Sequence, residues 1–215
     1  MYKIRREFFC LPLWLLLTLT GACSSGINLQ VDGQLPTPVS SQLPLSMGVH
    51  YNDNFRNNIF KENTEARQNW TIDYRVTRQQ LFDQILPSMF RTVTLVEEPD
   101  APPTDPVLDA ILEPDVLETQ VALPQETHSD MYEAWVKYGM KLYLPDGQLI
   151  SDWQITGYGK APTSMFTSRQ DGLNNAITIA LRDLGAKLVL EFRNAPGVRD
   201  WLSGKINCAE YPHLC

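Results

Sequence analysis

The sequence predicts an α+β fold, in which a mainly antiparallel sheet of about five or six strands carries two helices on one face. Two stretches predict it. Across residues 131–161 the apolar side chains recur at every second position, which is typical of half-buried strands. Across residues 173–188 they recur every three or four positions, which is typical of a helix packed on a sheet.

Residues 131–161 are predicted to form a β-hairpin. Pro145 presets the backbone of the turn, and Gly147 can adopt the positive φ that a type I turn with a bulge requires. Leu149, Trp153 and Ile155 are expected on one side of the return strand. Trp135 and Tyr143 lie on the opposite face from the apolar stripe of the outgoing strand. If helices cover only that stripe, these two rings must meet another layer or a partner.

Other strands are predicted around this hairpin from shorter alternating patterns. Residues 55–67 are ambiguous. The predicted strands cover residues 45–51, 70–76, 91–96 and 107–123, the last of them broken or bulged at Pro114.

Two capping patterns predict where the helices begin. Residues 77–80, Thr-Arg-Gln-Gln, have the form of a capping box. Pro87 predicts that the helix after them kinks or ends near Leu86. Ser168, with Asp171 three positions later, predicts the start of the second helix, which ends before Pro196 and Gly197.

The first 22 residues predict a secretory signal. Three basic residues precede an apolar run at residues 8–19, which is too short to span a bilayer comfortably. Residues 19–23, Leu-Thr-Gly-Ala-Cys, resemble the lipobox of bacterial lipoproteins, with Thr20 where that family usually has leucine. The resemblance implies that Cys23 is acylated and becomes the mature N-terminus. The alternative is an ordinary signal followed by an incidental cysteine.

The resemblance also implies a location. Ser24 is not the aspartate that marks inner-membrane retention in enteric-type sorting, so we expect an anchor in outer-membrane lipid, on the periplasmic face. Residues 24–44 contain three prolines, two glycines and one charge, which predicts a flexible tether with a span of roughly 25 Å. The domain organisation predicted is a signal at 1–22, a lipidated tether at 23–44, one α+β domain at 45–205 and a tail at 206–215.

The cysteines fit this organisation. Cys10 leaves with the signal and Cys23 carries lipid, so Cys208 and Cys215 remain as a pair in an oxidising compartment. A disulfide between them would close an eight-residue loop and stabilise the tail by roughly 2.5 kcal/mol. The alternative is two reduced thiols on a loose tail.

The charge of the chain is acidic and unevenly distributed. The net charge is −7 and becomes about −9 without the signal, which excludes a nucleic-acid-binding role based on a basic patch. Residues 92–136 hold eleven acidic residues and no lysine or arginine. They predict either a docking surface for a basic partner, including Glu97, Glu98 and Asp100, or a weak calcium site. The alternative is a solvated loop.

Recognised catalytic signatures do not occur in the sequence. The histidines at 50, 128 and 213 are not at metal-ligand spacing, and no G-x-S-x-G motif is present. Residues 157–160, Gly-Tyr-Gly-Lys, lack the spacing and hydroxyl of a phosphate-binding loop and suit a sheet edge. We therefore predict no catalytic residue, no metal site and no cofactor.

The order of elements resembles that of small envelope lipoprotein domains. The pattern is an aspartate and apolar strand at 109–112, Tyr138, the Asp146-Gly147 turn and Trp153. Similar domains occur in the LPS-assembly lipoprotein, in curli-secretion and TolB N-terminal domains, and in auxiliary lipoproteins of ABC lipid transporters. The resemblance implies a non-catalytic accessory or scaffold of an envelope assembly or transport machine, with a protein partner. The alternative is a periplasmic small-ligand-binding protein or enzyme, which a deep pocket with convergent polar groups would favour.

Overall fold

A computed structural model describes residues 26–99, 104, 106–165 and 167–206. The sites predicted at Cys23, Asp100, Cys208 and Cys215 lie outside these residues. The strands are β1 (Asn28–Gln30), β2 (Leu43–Val49), β3 (Phe60–Glu62), β4 (Trp70–Asp73), β5 (Phe90–Leu95), β6 (Ala110–Ala122), β7 (Met131–Tyr143) and β8 (Leu149–Pro162). The helices are α1 (Asp53–Asn57), α2 (Arg75–Met89), α3 (Pro124–Thr127), α4 (Arg169–Glu191) and α5 (Val198–Lys205), with a 3-10 turn at Phe192–Asn194.

The fold is α+β, but the strands form two mixed sheets where a single, mainly antiparallel sheet was expected. One sheet has the order β1-β4-β3 and the other β5-β2-β6-β7-β8. In the larger sheet β2 pairs in parallel with both β5 and β6, while β6, β7 and β8 are antiparallel. The chain returns from β2 to β5 through α2, and such a crossover gives parallel strands. Among the described residues no helix combines the length and the hydrophobicity needed to cross a membrane.

The predicted hairpin is confirmed as β7 and β8. The Leu144 N–H donates to the Gln148 carbonyl at 2.8 Å, and Gly147 has a φ of 86°. The register shifts by one residue beside the turn, so Leu149 pairs with Tyr143 and is 49% exposed. The expectation that Leu149 shares a side with Trp153 was therefore wrong, because the bulge turns its side chain outward.

Helix α4 packs directly on β8. A Cβ atom on Gly157 or Gly159 would collide with the backbone carbonyls of Ala180 and Ala176 on the helix. The Gly-Tyr-Gly sequence therefore permits a close approach of two backbones. The predicted cap is confirmed, since the Ser168 hydroxyl accepts the Asp171 N–H at 3.1 Å.

Helix α2 begins earlier than the sequence predicted. It starts at Arg75, whose N–H donates to the Asp73 carboxylate at 3.0 Å. Thr77 does not cap the helix, because its hydroxyl is buried and donates to the Val31 carbonyl at 2.7 Å. The helix also continues through Pro87 to Met89, where loss of one hydrogen bond near the end costs little.

The break or bulge predicted at Pro114 is not there: β6 is continuous at Pro114 and bulges at Leu117 instead. β2 pairs with β6 only at residues 110–112, and Pro114 pairs only with Met140 on β7. Beyond residue 112 that side of β6 is an edge in the described ladder, where proline is tolerated.

The tether predicted at residues 24–44 is corrected within its described part. Ile27, Leu29 and Val31 are buried, and β1 pairs in parallel with β4. Alternation of these apolar residues with Asn28 and Gln30 is the strand signal, which is short and stands among turn-forming residues. The folded domain therefore begins well before residue 45.

Residues 32–42, which lie in the segment between β1 and β2, form a strap across α2 and α4. Arg182 on α4 donates from Nε to the Gln34 carbonyl at 3.0 Å, and Arg193 donates to the Ser41 carbonyl at 3.2 Å. The Gln42 amide donates to the Pro87 carbonyl at 2.7 Å. The side chains of Arg182 and Arg193 thus satisfy backbone carbonyls of the strap, which a free tether would leave to water, and the Gln42 side chain satisfies a carbonyl of α2.

Candidate functional site

The residues predicted to form a partner surface do not lie together. Trp135 and Tyr143 share the outer face of β7, opposite the helices, and both are half-buried. Eight residue steps along the strand separate them by about 26 Å. Glu97 and Glu98 follow β5 and are exposed. The structure therefore places Trp135 and Tyr143 in separate regions of the predicted surface.

Trp135 is part of an aromatic pair. It lies between Gln120 on β6 and Tyr158 on β8, and the Trp135 and Tyr158 ring centroids are 5.0 Å apart with an interplanar angle of 29°. Trp135 lines a small cavity of about 190 Å³, which we call the aromatic notch. Its walls are strand residues only, namely Glu118, Gln120, Trp135, Lys137 and Thr156.

Tyr158 is held in place by its side-chain hydroxyl and by its backbone N–H. Its hydroxyl donates to the Glu133 carboxylate at 2.7 Å, and its backbone N–H donates to the Asp183 carboxylate at 2.9 Å. Glu133 is 8% exposed, and the Lys160 ammonium lies 3.5 Å from its carboxylate and compensates its charge. The ring that supports Trp135 is therefore fixed before any partner binds, which lowers the entropic cost of binding.

The neighbouring edge of β8 is covered by side chains of α4. Besides the Asp183 contact, the Lys187 ammonium donates to the Thr156 carbonyl at 2.8 Å. Asp183 and Lys187 also form an ion pair at 2.8 Å. A partner strand cannot pair with these backbone groups, so contact at this point uses the face of the sheet.

Tyr143 lies in a different environment at the other end of the same face. Burial raises the pKa of the Tyr143 hydroxyl, and the nearby carboxylate of Glu113 raises it further. Lys141 lies two residues before Tyr143 on the same face, and it pairs across the strands with Glu113 and Asp152. This end of the face is an alternation of charges, unlike the notch.

Glu97 and Glu98 line a second, larger cavity of about 570 Å³, which we call the acidic depression. Arg56 lies 3.4 Å from the Glu97 carboxylate, and the two side chains are 41% and 77% exposed. One wall is formed by His50, whose Nδ1 lies 3.1 Å from the Val96 carbonyl oxygen. The full lining is His50, Tyr51, Asn52, Asp53, Asn54, Arg56, Glu97 and Glu98.

The acidic residues of segment 92–136 do not form one continuous docking face in the part of the chain described. Several of them contact basic side chains from other segments. Asp109 lies 3.4 Å from Lys205, Glu113 lies 4.0 Å from His50, and Glu126 pairs with Arg67. The ion pairs with Lys205 and Arg67 neutralise part of the charge that suggested a basic partner.

No family model and no curated protein matches the chain. Solved structures with similar folds include a Xanthomonas campestris protein of family DUF330, with 13% identity, a TM-score of 0.48, and coverage of 84% of this chain and 96% of that one. A Helicobacter pylori protein described as a homologue of neuraminyllactose-binding hemagglutinin has 14% identity, a TM-score of 0.47, and coverages of 83% and 100%. A minor lipoprotein from Acinetobacter baumannii has 11% identity, a TM-score of 0.40, and coverages of 70% and 92%. These similarities assign neither a family nor a function to the chain.

Sequence reasoning missed Tyr158 and a buried cation, Arg78. Tyr158 was assigned to a sheet edge, although its pairing with Trp135 follows from the hairpin register. Arg78 is fully buried, and its guanidinium lies 5.0 Å from the Phe55 ring and 5.1 Å from the Tyr74 ring. No carboxylate of the described residues pairs with it, and the sequence gives no sign that a helical arginine is buried.

The described residues include no group of three or more histidine, cysteine, aspartate or glutamate side chains arranged to hold a metal ion. The arrangement of the notch is suited to recognition, because it combines a fixed aromatic surface with an amide, a carboxylate and an ammonium group at its rim.

Proposed function

We propose that this chain is an outer-membrane-anchored periplasmic lipoprotein that serves as a non-catalytic accessory or scaffold of an envelope assembly or transport machine. The N-terminal signal and the lipobox-like residues before Cys23 support the anchor. One cysteine carrying two or three acyl chains is sufficient for stable attachment to a bilayer.

The observation that carries the proposed binding role is the Trp135 and Tyr158 pair on the outer face of the sheet. Trp135 lines the aromatic notch, and Glu133, Lys160 and Asp183 hold Tyr158 in place beneath it. Aromatic side chains in such fixed positions commonly dominate the energetics of protein interfaces. Anchoring to a membrane raises the effective concentration of a partner in the same envelope.

The test is purification of the intact lipoprotein from membranes, followed by quantitative mass spectrometry of the proteins that accompany it. We expect Trp135→Gln to lose the partner. Leu149→Gln is the control, because Leu149 is an exposed apolar residue on the same hairpin that does not line the notch. If Trp135→Gln folds and recovers the same proteins in the same amounts as the control, the notch is not the binding surface.

A second candidate function is binding of a small ligand at the acidic depression. Its volume of about 570 Å³ is in the range of small-ligand sites, and its lining brings the carboxylates of Asp53, Glu97 and Glu98 to one place. Reversing the charges of Glu97 and Glu98 separates the two proposals. A variant that keeps its protein partner but loses binding of a small cationic ligand would favour a ligand-binding protein. Turnover of a substrate by the purified domain would contradict the non-catalytic role.

A further inference from the structure

The first described residue, Gly26, is already fixed to the folded domain. Its Cα lies so close to the backbone of residues 68 and 69 that an added Cβ would be 2.9 Å from the Asn69 carbonyl oxygen. One residue later, the Ile27 carbonyl accepts the Thr71 N–H at 2.7 Å, and Ile27 is 3% exposed. The chain is therefore attached to the domain from residue 26 onward.

The covalent distance from this point to Cys23 is short. Three residue steps of at most about 3.6 Å place the Cα atoms of Cys23 and Gly26 no more than about 11 Å apart. The headgroup layer on each side of a bilayer is roughly 6 Å thick. A cysteine whose acyl chains lie in the bilayer therefore holds Gly26 within the headgroup layer or no more than about 5 Å beyond it. This step rests on the acylation of Cys23 in the proposed function.

Other elements lie at the same end of the domain as Gly26. The Gln170 side chain at the start of α4 donates to the Asn28 carbonyl at 3.4 Å. Thr163, at the end of β8, donates its N–H to the Asp130 carbonyl just before β7. Between them Met165 is 97% exposed, and an apolar side chain at this place can enter the headgroup region. We call this the leash end, comprising residues 26–28, 68–69, 163–165 and 168–170.

The hairpin turn at residues 145–147 lies at the opposite end of β7. The thirteen residues of β7 run from the leash end toward that turn, a length of about 43 Å. Trp135 is four residues into this strand, about 13 Å from its start. Tyr143 is at the far end.

We propose that the leash end of the domain rests on phospholipid headgroups, so that the domain has a defined orientation on the membrane. In this orientation the aromatic notch stands close to the lipid surface and the hairpin turn extends away from it. A protein that contacts the notch must therefore reach close to the same bilayer, as a membrane-embedded or membrane-anchored protein does.

The test uses a photo-crosslinking amino acid placed at Gln68 or at Asp146 in the full-length lipoprotein. Both positions are exposed, and only the first is at the leash end. After irradiation of isolated membranes, mass spectrometry should detect phospholipid adducts with the crosslinker at position 68 and few or none with the crosslinker at position 146. A third variant carries about twenty additional glycine and serine residues between residues 24 and 26. This insertion lengthens the connection from Cys23 to Gly26 by roughly 25 Å. Its adducts at position 68 should fall.

The outcomes separate this inference from the proposed anchor. If the protein floats with membranes but position 146 forms as many adducts as position 68, the orientation is wrong and the anchor stands. If adducts at position 68 persist unchanged after insertion of the linker, the short connection from Cys23 to Gly26 does not set the orientation. If the protein does not float with membranes, the anchor and the orientation both fail.

Discussion

Asn174 on α4 and Asp32 in the strap are joined by two hydrogen bonds across 142 positions of sequence. The Asn174 Oδ1 accepts the Asp32 N–H, and Nδ2 donates to the Asp32 carbonyl, each at 2.9 Å. The side-chain amide thus takes the place of a neighbouring strand. One residue of α4 thereby fixes the point at which the chain leaves β1.

We expect Asn174→Ala to destabilise the protein by about 1 to 2 kcal/mol, because two hydrogen bonds are lost at a partly exposed position. The effect should concentrate in the strap, and amide hydrogen exchange of residues 29–34 should accelerate more than exchange in β7. Asn175→Ala is the control, since Asn175 is exposed on the next position of the same helix. Equal exchange in the two variants would contradict a role for Asn174 in holding the strap.

Gly159 determines how closely α4 approaches the sheet. We expect Gly159→Ala to lower the free energy of unfolding by about 2 to 4 kcal/mol, because overpacking forces rigid backbones apart. Gly204→Ala is the matched control. A Cβ added to Gly204 in helix α5 would have no neighbouring atom within 4 Å, so alanine should stabilise the protein by about 0.5 to 1 kcal/mol. Urea denaturation measures both, and a neutral Gly159→Ala would show that the helix can move away from β8 without cost.

Glu126 connects α3 to Arg67 and contributes to the dependence of stability on acid. Burial raises the pKa of its carboxyl, but the hydrogen bonds from Arg67 and from the Leu123 N–H outweigh burial and lower the pKa overall. A lowered folded-state pKa stabilises the protein above the unfolded-state pKa of about 4.3, and this stabilisation is lost as the pH falls through the folded-state value.

We therefore expect the melting temperature of the wild type to fall more steeply below about pH 4.3 than that of Glu126→Gln. Differential scanning calorimetry from pH 3 to pH 7 makes the comparison. Glu65→Gln provides the control, since Glu65 is exposed and makes no hydrogen bond in the described residues. Parallel curves for wild type and Glu126→Gln would mean that the ion pair with Arg67 does not affect folding.

The elements predicted well from the sequence are those determined by local interactions. The hairpin turn at Gly147 and the cap at Ser168 depend on residues within three or four positions, and both are confirmed. The faces of β7 also follow from its alternation, so the outward direction of Trp135 was predictable. Its partner Tyr158 required the register of β8, which the turn determines.

The elements predicted poorly depend on distant contacts. Thr77 has the sequence of a cap, but burial against Val31 gives its hydroxyl a different acceptor. Residues 32–42 look like a linker because their own side chains bury little, while Arg182 on α4 donates to their backbone and the Gln42 side chain donates to a carbonyl of α2. Parallel pairing of β2 likewise leaves no local signal, because it arises from the crossover through α2.

The contacts of the strap with α4 and with the 3-10 turn after it join residues that are separated by 142 to 152 positions, from Asp32 with Asn174 to Ser41 with Arg193. In a chain that crosses a membrane with its N-terminus first, the strap cannot close until α4 has also crossed. Contacts between such distant residues form late in folding. The strap contacts that α4 supplies therefore form last, whereas the pairing of β1 with β4 needs only the first 73 residues of the chain.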